Sequence, residues 1–552
     1  MRKKFLAALA LTLLMGGTSH AEDITIRFNG TTAKVKQQVK DSVSVKVDGA
    51  HVNIESTYKT HKLTILMSGK SDDGQLILKT DGKAQVKLEG LNLTSQEGAP
   101  LWLKNKKKVE IKAPKGTVNT LTVAACTDTA NHKAAVIWAK DKLKFTGRGT
   151  LNVLAKGDGC KGIRSKDDIT IEELTLNVET TGNNLGAKEN PFGGGFPMGG
   201  FGAPGEQNDS TRQGGFGGFG GFPQMGGFGG GMPDFSNLSE EDKARIEEMR
   251  KNFEEMMKNG NFPMMGGFGG RPEGNDSTRQ GGFGGFGGFP QMGGFGAPPM
   301  GENGEEGENV PFKQKYNGTC KGIKSQEKII VNSGRVTVKT TSAGAEGIEG
   351  KKGVILNGGD VNVLAIDDAI NANAAIEFNG ANVVARSTTN DAVDANLVDF
   401  FAGGFGGFFG GGNTTEQNND PAIIITGGTV YAWSQRGAPE EGLDCDFSPI
   451  KISGGTVFSV GAGMGEMPSV PTQETAEQPT ALLIGINIVK DEPIQICDSN
   501  NQVIDTLTVP FALRYSSSIV TSPKFQVGGT YSVKTKDYEK TFTLNEKFTI
   551  VR

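Results

Sequence analysis

Two columns of charged and amide side chains run through this chain. Lys161, Lys321, Glu346, Asp368, Asp391 and Glu441 each stand two residues ahead of an apolar centre, namely Ile163, Ile323, Ile348, Ile370, Val393 and Leu443. Arg164, Lys324, Glu349, Asn371, Asp394 and Asp444 stand one residue behind the same centres. Both columns are basic on the first two phrases and mostly acidic on the next four, and Asp367, Asn390, Glu440 and Asp446 add oxygens beside the acidic part. If successive phrases stack at a strand spacing of about 4.8 Å, like carboxylates repel by on the order of a kcal/mol each when exposed, and by more when partly buried. A bound cation relieves that repulsion. Calcium suits the donors, being a hard ion that takes about 6 to 8 oxygen ligands in adaptable geometry. The candidate ligands are Glu346, Glu349, Asp367, Asp368, Asn371, Asn390, Asp391, Asp394, Glu441, Asp444 and Asp446. The alternative is a solvated acidic edge whose charge keeps further strands from joining the stack.

Stacking follows from the period. The third to fifth centres follow their predecessors by 25, 22 and 23 residues, and each of the six phrases leads into an alternating strand such as Ile329/Val331, Val354/Leu356 or Ile376/Phe378. A β-branched repeat of that length, with turns such as Asn357-Gly358-Gly359 before a second short strand, describes a solenoid. The expected fold is all-β, a right-handed single-stranded parallel β-helix. Asn332, Asn357, Asn379 and Ser453 align at the next corner as an amide ladder of structural kind. Strand-like segments such as 76–78, 101–103, 109–111 and 143–145 extend the repeat upstream. The expected division is an N-terminal β cap with the first irregular rungs over 22–94, the β-helix over 95–465, a linker over 466–480 and a small β cap over 481–552.

Two composition breaks read as disordered inserts rather than domains. Residues 183–316 are rich in Gly, Phe, Met and Pro and contain NDSTRQGGFGGFGGFPQMGGFG twice, with a short capped helix expected over 239–258. A second Gly/Phe-rich insert spans 401–419. Neither buries enough side chain to offset its ordering entropy. Met1 to Ala21, with a basic start, an apolar run and Ser19-His20-Ala21, reads as a secretory signal. The protein is therefore expected to be periplasmic or secreted, with the cell surface as a further destination. No other run is long and apolar enough to span a membrane, and a net charge of −4 gives no argument for nucleic acid. The four histidines, His20, His51, His61 and His132, all lie outside the six phrases, which excludes histidine-based zinc sites and dyads there. Cys160 and Cys320 occupy one position on neighbouring phrases once the long insert is set aside, so they form either a disulfide clamping its base or two stacked thiols.

The segments AAVIWAKDKLKFTGRGTLNVLAKGDGCKGIRSKDDITI, EGIEGKKGVILNGGDVNV, DDAINANAAIEFNG, DAVDAN and EEGLDCDFSPIKISGGTVFSVG resemble the bacterial family of secreted carbohydrate-binding β-helix domains over about residues 95–465. That resemblance implies a pectate-lyase-like fold, bound calcium and recognition of acidic plant polysaccharide such as polygalacturonate. The first corner, usually Asp-Gly-Ile in that family, is Cys160-Lys161-Gly162-Ile163 here. Calcium on the carboxylates would bridge to uronates, while Lys161, Arg164, Lys321 and Lys324 pair with further uronates directly. Tyr431 and Trp433 are candidates for stacking on sugar faces. The expected function is noncatalytic polysaccharide binding. The competing classes are a polysaccharide lyase, with Lys161, Lys321, Arg164 or Lys324 as base, and a structural or adhesive surface protein that works through its Phe-Gly inserts.

Overall fold

Ile163, Ile323, Ile348 and Ile370 are all fully buried, and each is paired in parallel with the next. Val393 and Leu443 complete the row. In the computed structural model, which describes residues 22–126, 134–187, 316–396, 420–445, 448–461, 469–536 and 538–552, this row is the inner edge of the first of three strand columns. Its members are Lys161–Ser165, Ile323–Ser325, Ile348–Gly350, Ile370–Ala372, Val393–Ala395 and Leu443–Asp444. The second column is Ile169–Ile171, Ile329–Val331, Val354–Leu356, Ile376–Phe378, Ile423–Ile425 and Ile450–Ile452. The third is Thr175–Thr180, Arg335–Thr340, Asp360–Ala365, Asn382–Ser387, Thr429–Ser434 and Thr456–Val460. The chain visits the columns in turn, and within each column consecutive rungs pair in parallel without a register shift. The described residues are all-β, with no helix.

Alternation explains why these short segments form strands. In the second column the flanking Ile, Val, Leu or Phe positions are buried and the middle one is half-buried, so apolar side chains at period two line one continuous core. Polar rungs reinforce the outside. Asn357 Nδ2 donates to Asn332 Oδ1 at 2.8 Å, Asn379 Nδ2 to Asn357 Oδ1 at 3.0 Å, and the Thr426 hydroxyl to Asn379 Oδ1 at 2.9 Å. Thr426 thus takes a rung of the expected amide ladder between Asn379 and Ser453.

Upstream the same pattern runs on through Leu101–Asn105 and Ala135–Ala139 in the first column. There the second and third columns fuse into one long strand, Ala84–Ser95, whose register against Leu63–Ser71 shifts between Ser68 and Gly69. Antiparallel hairpins, Ile24–Asn29 with Thr32–Gln37 and Val43–Asp48 with His51–Ser56, close that end. At the other end Pro471–Ala476 adds in parallel to Ile450–Ile452, so a strand lies inside the stretch expected to be a linker. Leu513–Thr521 then pairs antiparallel with Thr456–Val460 and stops the parallel stack. A four-stranded antiparallel sheet, built from Pro493–Asp498, Val503–Thr508, Thr530–Lys534 and Glu539–Thr543, completes the C-terminal part.

The described residues belong to one compact unit, 1–188 with 312–552. The expected signal over 1–21, the helix over 239–258, nearly all of the long insert and residues 401–419 lie outside the described residues. The edges of the long insert differ from expectation. Leu185–Ala187 and Tyr316–Gly318 pair antiparallel, so a two-strand ladder closes its base. Among the described residues no helix is long and apolar enough to cross a membrane.

Candidate functional site

The outward side chains of the first column carry the charge. Pairing places Arg164, Lys324, Glu349, Asn371, Asp394 and Asp444 in one line, each opposite the next. The line also extends backwards: Trp138 pairs with Arg164, and Trp102 with Trp138. The row therefore passes from aromatic to basic to acidic. Counting only the six phrases missed both tryptophans, although each follows its buried apolar neighbour, Leu101 or Ile137, as Arg164 follows Ile163. Their rings meet edge to face with centroids 6.3 Å apart, and Lys104 Nζ lies 3.8 Å from the Trp102 ring centroid.

These side chains are largely withdrawn from water. Lys161, Arg164, Lys321, Lys324, Glu349, Asp368, Asn371 and Asp391 are all buried, a set of desolvated charges that stands against the solvated acidic edge given as the alternative. The strands in this column are only two to five residues long, so tight corners fold the flanking side chains against the sheet.

At the sign change the charges neutralise one another. Lys321 Nζ lies 2.8 Å from Glu346 Oε1 and 2.6 Å from Glu349 Oε2. Lys324 and Lys351 reach Glu349 at 3.4 and 2.6 Å. Burial alone would raise the Glu349 carboxyl, but the three lysines outweigh it and hold it well below the usual carboxylate range. Burial likewise works against the Lys321 ammonium, and the two glutamates overcome it and push it up. Lys321 is thus held protonated, the opposite of what the lyase alternative asks of a base.

Beyond that boundary carboxylates outnumber cations. One oxygen each from Glu346, Asp367 and Asp368 lies within 4.8 Å of the others. Burial, followed by neighbouring Asp394, Asp367, Glu346 and Asp391, pushes the Asp368 carboxyl well above its ordinary value. Burial raises Asp367, with Lys321 and Asn390 offsetting part of the rise. Glu346 is raised by burial and by Glu349 and Asp367, against the pull of Lys321. Further along, burial and Asp444 push Asp391 up to about 9. Amides separate these groups: Asn371 Nδ2 donates to Asp368 Oδ2 at 3.0 Å and to Asp394 Oδ2 at 2.8 Å, and Asn390 Nδ2 to Asp368 Oδ1 at 2.7 Å. Glu441 and Asp444 are bound instead to Ser469, through its N–H at 2.8 Å and its hydroxyl at 2.9 Å.

The expected ligand set therefore divides. Glu346, Asp367 and Asp368 converge. Asn371, Asn390, Asp391 and Asp394 border them, Glu441 and Asp444 sit at the far end, and Glu349 is taken up by lysines. Asp446 lies outside the described residues. The donor set fits a cation on an observation of its own, because the buried Glu346 Oε2 has no hydrogen-bond partner.

For the cysteines and for the strand aromatics the structure takes the alternative without the bond or the platform. No disulfide joins Cys160 to Cys320. The Cys320 thiol donates to Asn183 O at 3.3 Å, and Cys160 faces Cys126 instead. Tyr431 and Trp433 do not form an open platform: Trp433 is buried in the C-terminal core, and the Tyr431 hydroxyl donates to Asp505 Oδ2 at 3.0 Å.

The model of a family described as carbohydrate-binding domain-containing protein matches residues 48–191 and 308–395, passing over most of the long insert. A protein of that description from Acetivibrio thermocellus is 27% identical over 189 residues, which cover 32% of this chain and 65% of the relative's length. The chain thus spans just under two thirds of that relative. A solved structure titled polysaccharide lyase-like protein from C. thermocellum, a gadolinium derivative, aligns with 66% of this chain and 91% of its own at 16% identity and a TM-score of 0.35.

Proposed function

We propose that this protein is an exported, noncatalytic polysaccharide-binding protein built on a right-handed parallel β-helix. The chain is similar to proteins described as carbohydrate-binding, and the three-column repeat with parallel rungs supports that architecture. The observation that carries the reading is the carboxylate cluster of Glu346, Asp367 and Asp368, in which carboxylates outnumber the one lysine that reaches them and one buried oxygen lacks a partner. Calcium would be held there by these three residues, with Asp391 and Asp394 further along the row. When bound, the ion would offer its remaining coordination positions to the carboxylates of an acidic, uronate-containing glycan. Lys161 and Arg164, two rungs ahead of Glu346, set a basic boundary to that surface, and the ordered rows of side chains suit a linear polymer.

Noncatalytic binding is favoured over lyase chemistry by Lys321, since a general base needs a lowered pKa and this ammonium is clamped between two glutamates. The test is retention of the mature protein on insoluble polygalacturonate with calcium and then with excess chelator. Retention that chelator abolishes supports the reading. No retention in either condition removes the acidic-glycan assignment, and release of unsaturated product would replace binding with lyase activity.

A further inference from the structure

We propose that Cys126 and Cys160 form a redox-controlled disulfide across one corner of the stack, with Cys320 left out of the bond. This does not rest on the carbohydrate reading. Three of the five cysteines collect where the third column hands over to the first, on three successive rungs. Cys126 follows strand Val118–Val123, whose last residue pairs with Ala155. Lys156 N donates to Val123 O at 2.9 Å, carrying that pairing into the corner. Gly157 then presses against Cys126 so closely that a methyl group on it would lie 2.9 Å from Cys126 N. Cys160 turns back on the same glycine, its N–H donating to Gly157 O at 3.3 Å. The corner thus brings the two thiols into hydrogen-bond contact.

Cys320 is the competing neighbour. Gly318 packs on Gly159, so this third sulfur also lies beside Cys160. Its own contacts hold it elsewhere: its N–H donates to Asn184 Oδ1 at 2.6 Å and its thiol to Asn183 O at 3.3 Å. Access separates the three as well, because Cys160 and Cys320 are buried and Cys126 is half-buried. Cys126 is therefore the sulfur that a soluble oxidant meets first.

With glutathione disulfide as oxidant the step balances. The Cys126 thiolate attacks one sulfur of the oxidant and releases one glutathione thiolate. The Cys160 thiol passes its proton to the released glutathione thiolate, and its sulfur then attacks Cys126 Sγ in the mixed disulfide and expels the second glutathione as thiolate. One disulfide breaks, one forms, and two electrons pass from the protein to the oxidant. The hydrogen bond that the Cys160 thiol makes to Cys126, followed by burial, keeps that thiol protonated well above the ordinary range. Closure therefore speeds up as pH rises.

The experiment is to expose the full chain to glutathione disulfide, alkylate the remaining thiols, digest without reduction and identify linked peptides by mass. The expected product is a Cys126–Cys160 pair lighter by two hydrogens, with Cys320 alkylated. A Cys160–Cys320 pair, glutathione retained on Cys126, or three alkylated thiols would overturn the proposal. Cys320→Ser should form the same bond at an unchanged rate, and loss of the bond in that variant would equally overturn it.

Discussion

Lys321 Nζ sits 2.6 Å from Glu349 Oε2 where the last basic rung meets the first acidic one, and both groups are buried. Glu349 is 1% exposed and compensates three lysines at once. Replacing it by glutamine leaves those cations facing a neutral amide. Glu349→Gln should therefore destabilise the protein by about 3–5 kcal/mol, the range for breaking a buried pair from one side. Lys351→Ala removes a partner that is a third exposed, so it should cost no more than about 1 kcal/mol. Denaturant unfolding measures both, and equal losses in the two variants would show that Glu349 is not the hub.

The acidic rungs make stability depend on pH. Asp391 ionises at about 9 in the folded chain and near 3.9 when unfolded. Its folded pKa is raised, so its contribution is fully present below about pH 4 and is lost as pH rises through about 9. Asp368, Asp367 and Glu346 are shifted in the same direction. In the presence of chelator, melting should occur at lower temperature at pH 8 than at pH 5, and Asp391→Asn should flatten the dependence. A melting temperature that climbs between those pH values would contradict the desolvated carboxylates.

The rows themselves could be read directly from the sequence, and their environment could not. The spacing of Ile323, Ile348 and Ile370 states the repeat, because burial demands a fixed inward position once per rung. Register then follows, and Arg164, Lys324, Glu349 and Asn371 line up as that count requires. What counting cannot supply is depth. Whether Lys321 faces a glycan or Glu349 depends on side-chain direction at a tight corner, and the two readings share one sequence pattern. Trp433 shows the same gap: Val430-Tyr431-Ala432-Trp433 alternates like any half-exposed strand, and only the C-terminal sheet, distant in sequence, covers it. Cys126 was missed because its corner is out of phase with the six phrases, three residues past Val123, whereas Cys160 stands five past Ala155.

A glycine stands just ahead of the centre on the first three rungs, and crowding explains it. A methyl group on Gly347 would lie 2.3 Å from Val363 Cγ1 and 2.5 Å from Ala369 O, and the corresponding atoms crowd Gly162 and Gly322. The next two rungs carry Ala369 and Ala392 at this position, both fully buried. Gly347→Ala should cost about 1–3 kcal/mol through overpacking, while Ala369→Gly should cost about 0.5–1 kcal/mol through added backbone freedom. Thermal melts of the two variants distinguish a steric requirement at Gly347 from a general preference for small residues.

If Glu346, Asp367 and Asp368 hold calcium, binding must relieve the repulsion that raises their pKa values. The metal-free protein should melt at a lower temperature than the calcium-loaded one, by an amount that grows with pH as more carboxylates would otherwise have to ionise unpaired. At a free calcium concentration 100 times the dissociation constant the gain is about 2.7 kcal/mol. Asp368→Asn keeps the side-chain shape and one of the two hydrogen-bond acceptors, the one toward Asn371, gives up the one toward Asn390 and removes charge from the centre of the cluster, so calcium affinity should fall at least about tenfold, a loss already usual for outer-shell changes. The same substitution removes a carboxylate held well above its ordinary pKa, and should therefore stabilise the metal-free protein at pH 8. Titration calorimetry and melting thus move in opposite directions for one variant. A merely structural aspartate would not do that: its loss would lower stability and leave calcium binding where it was.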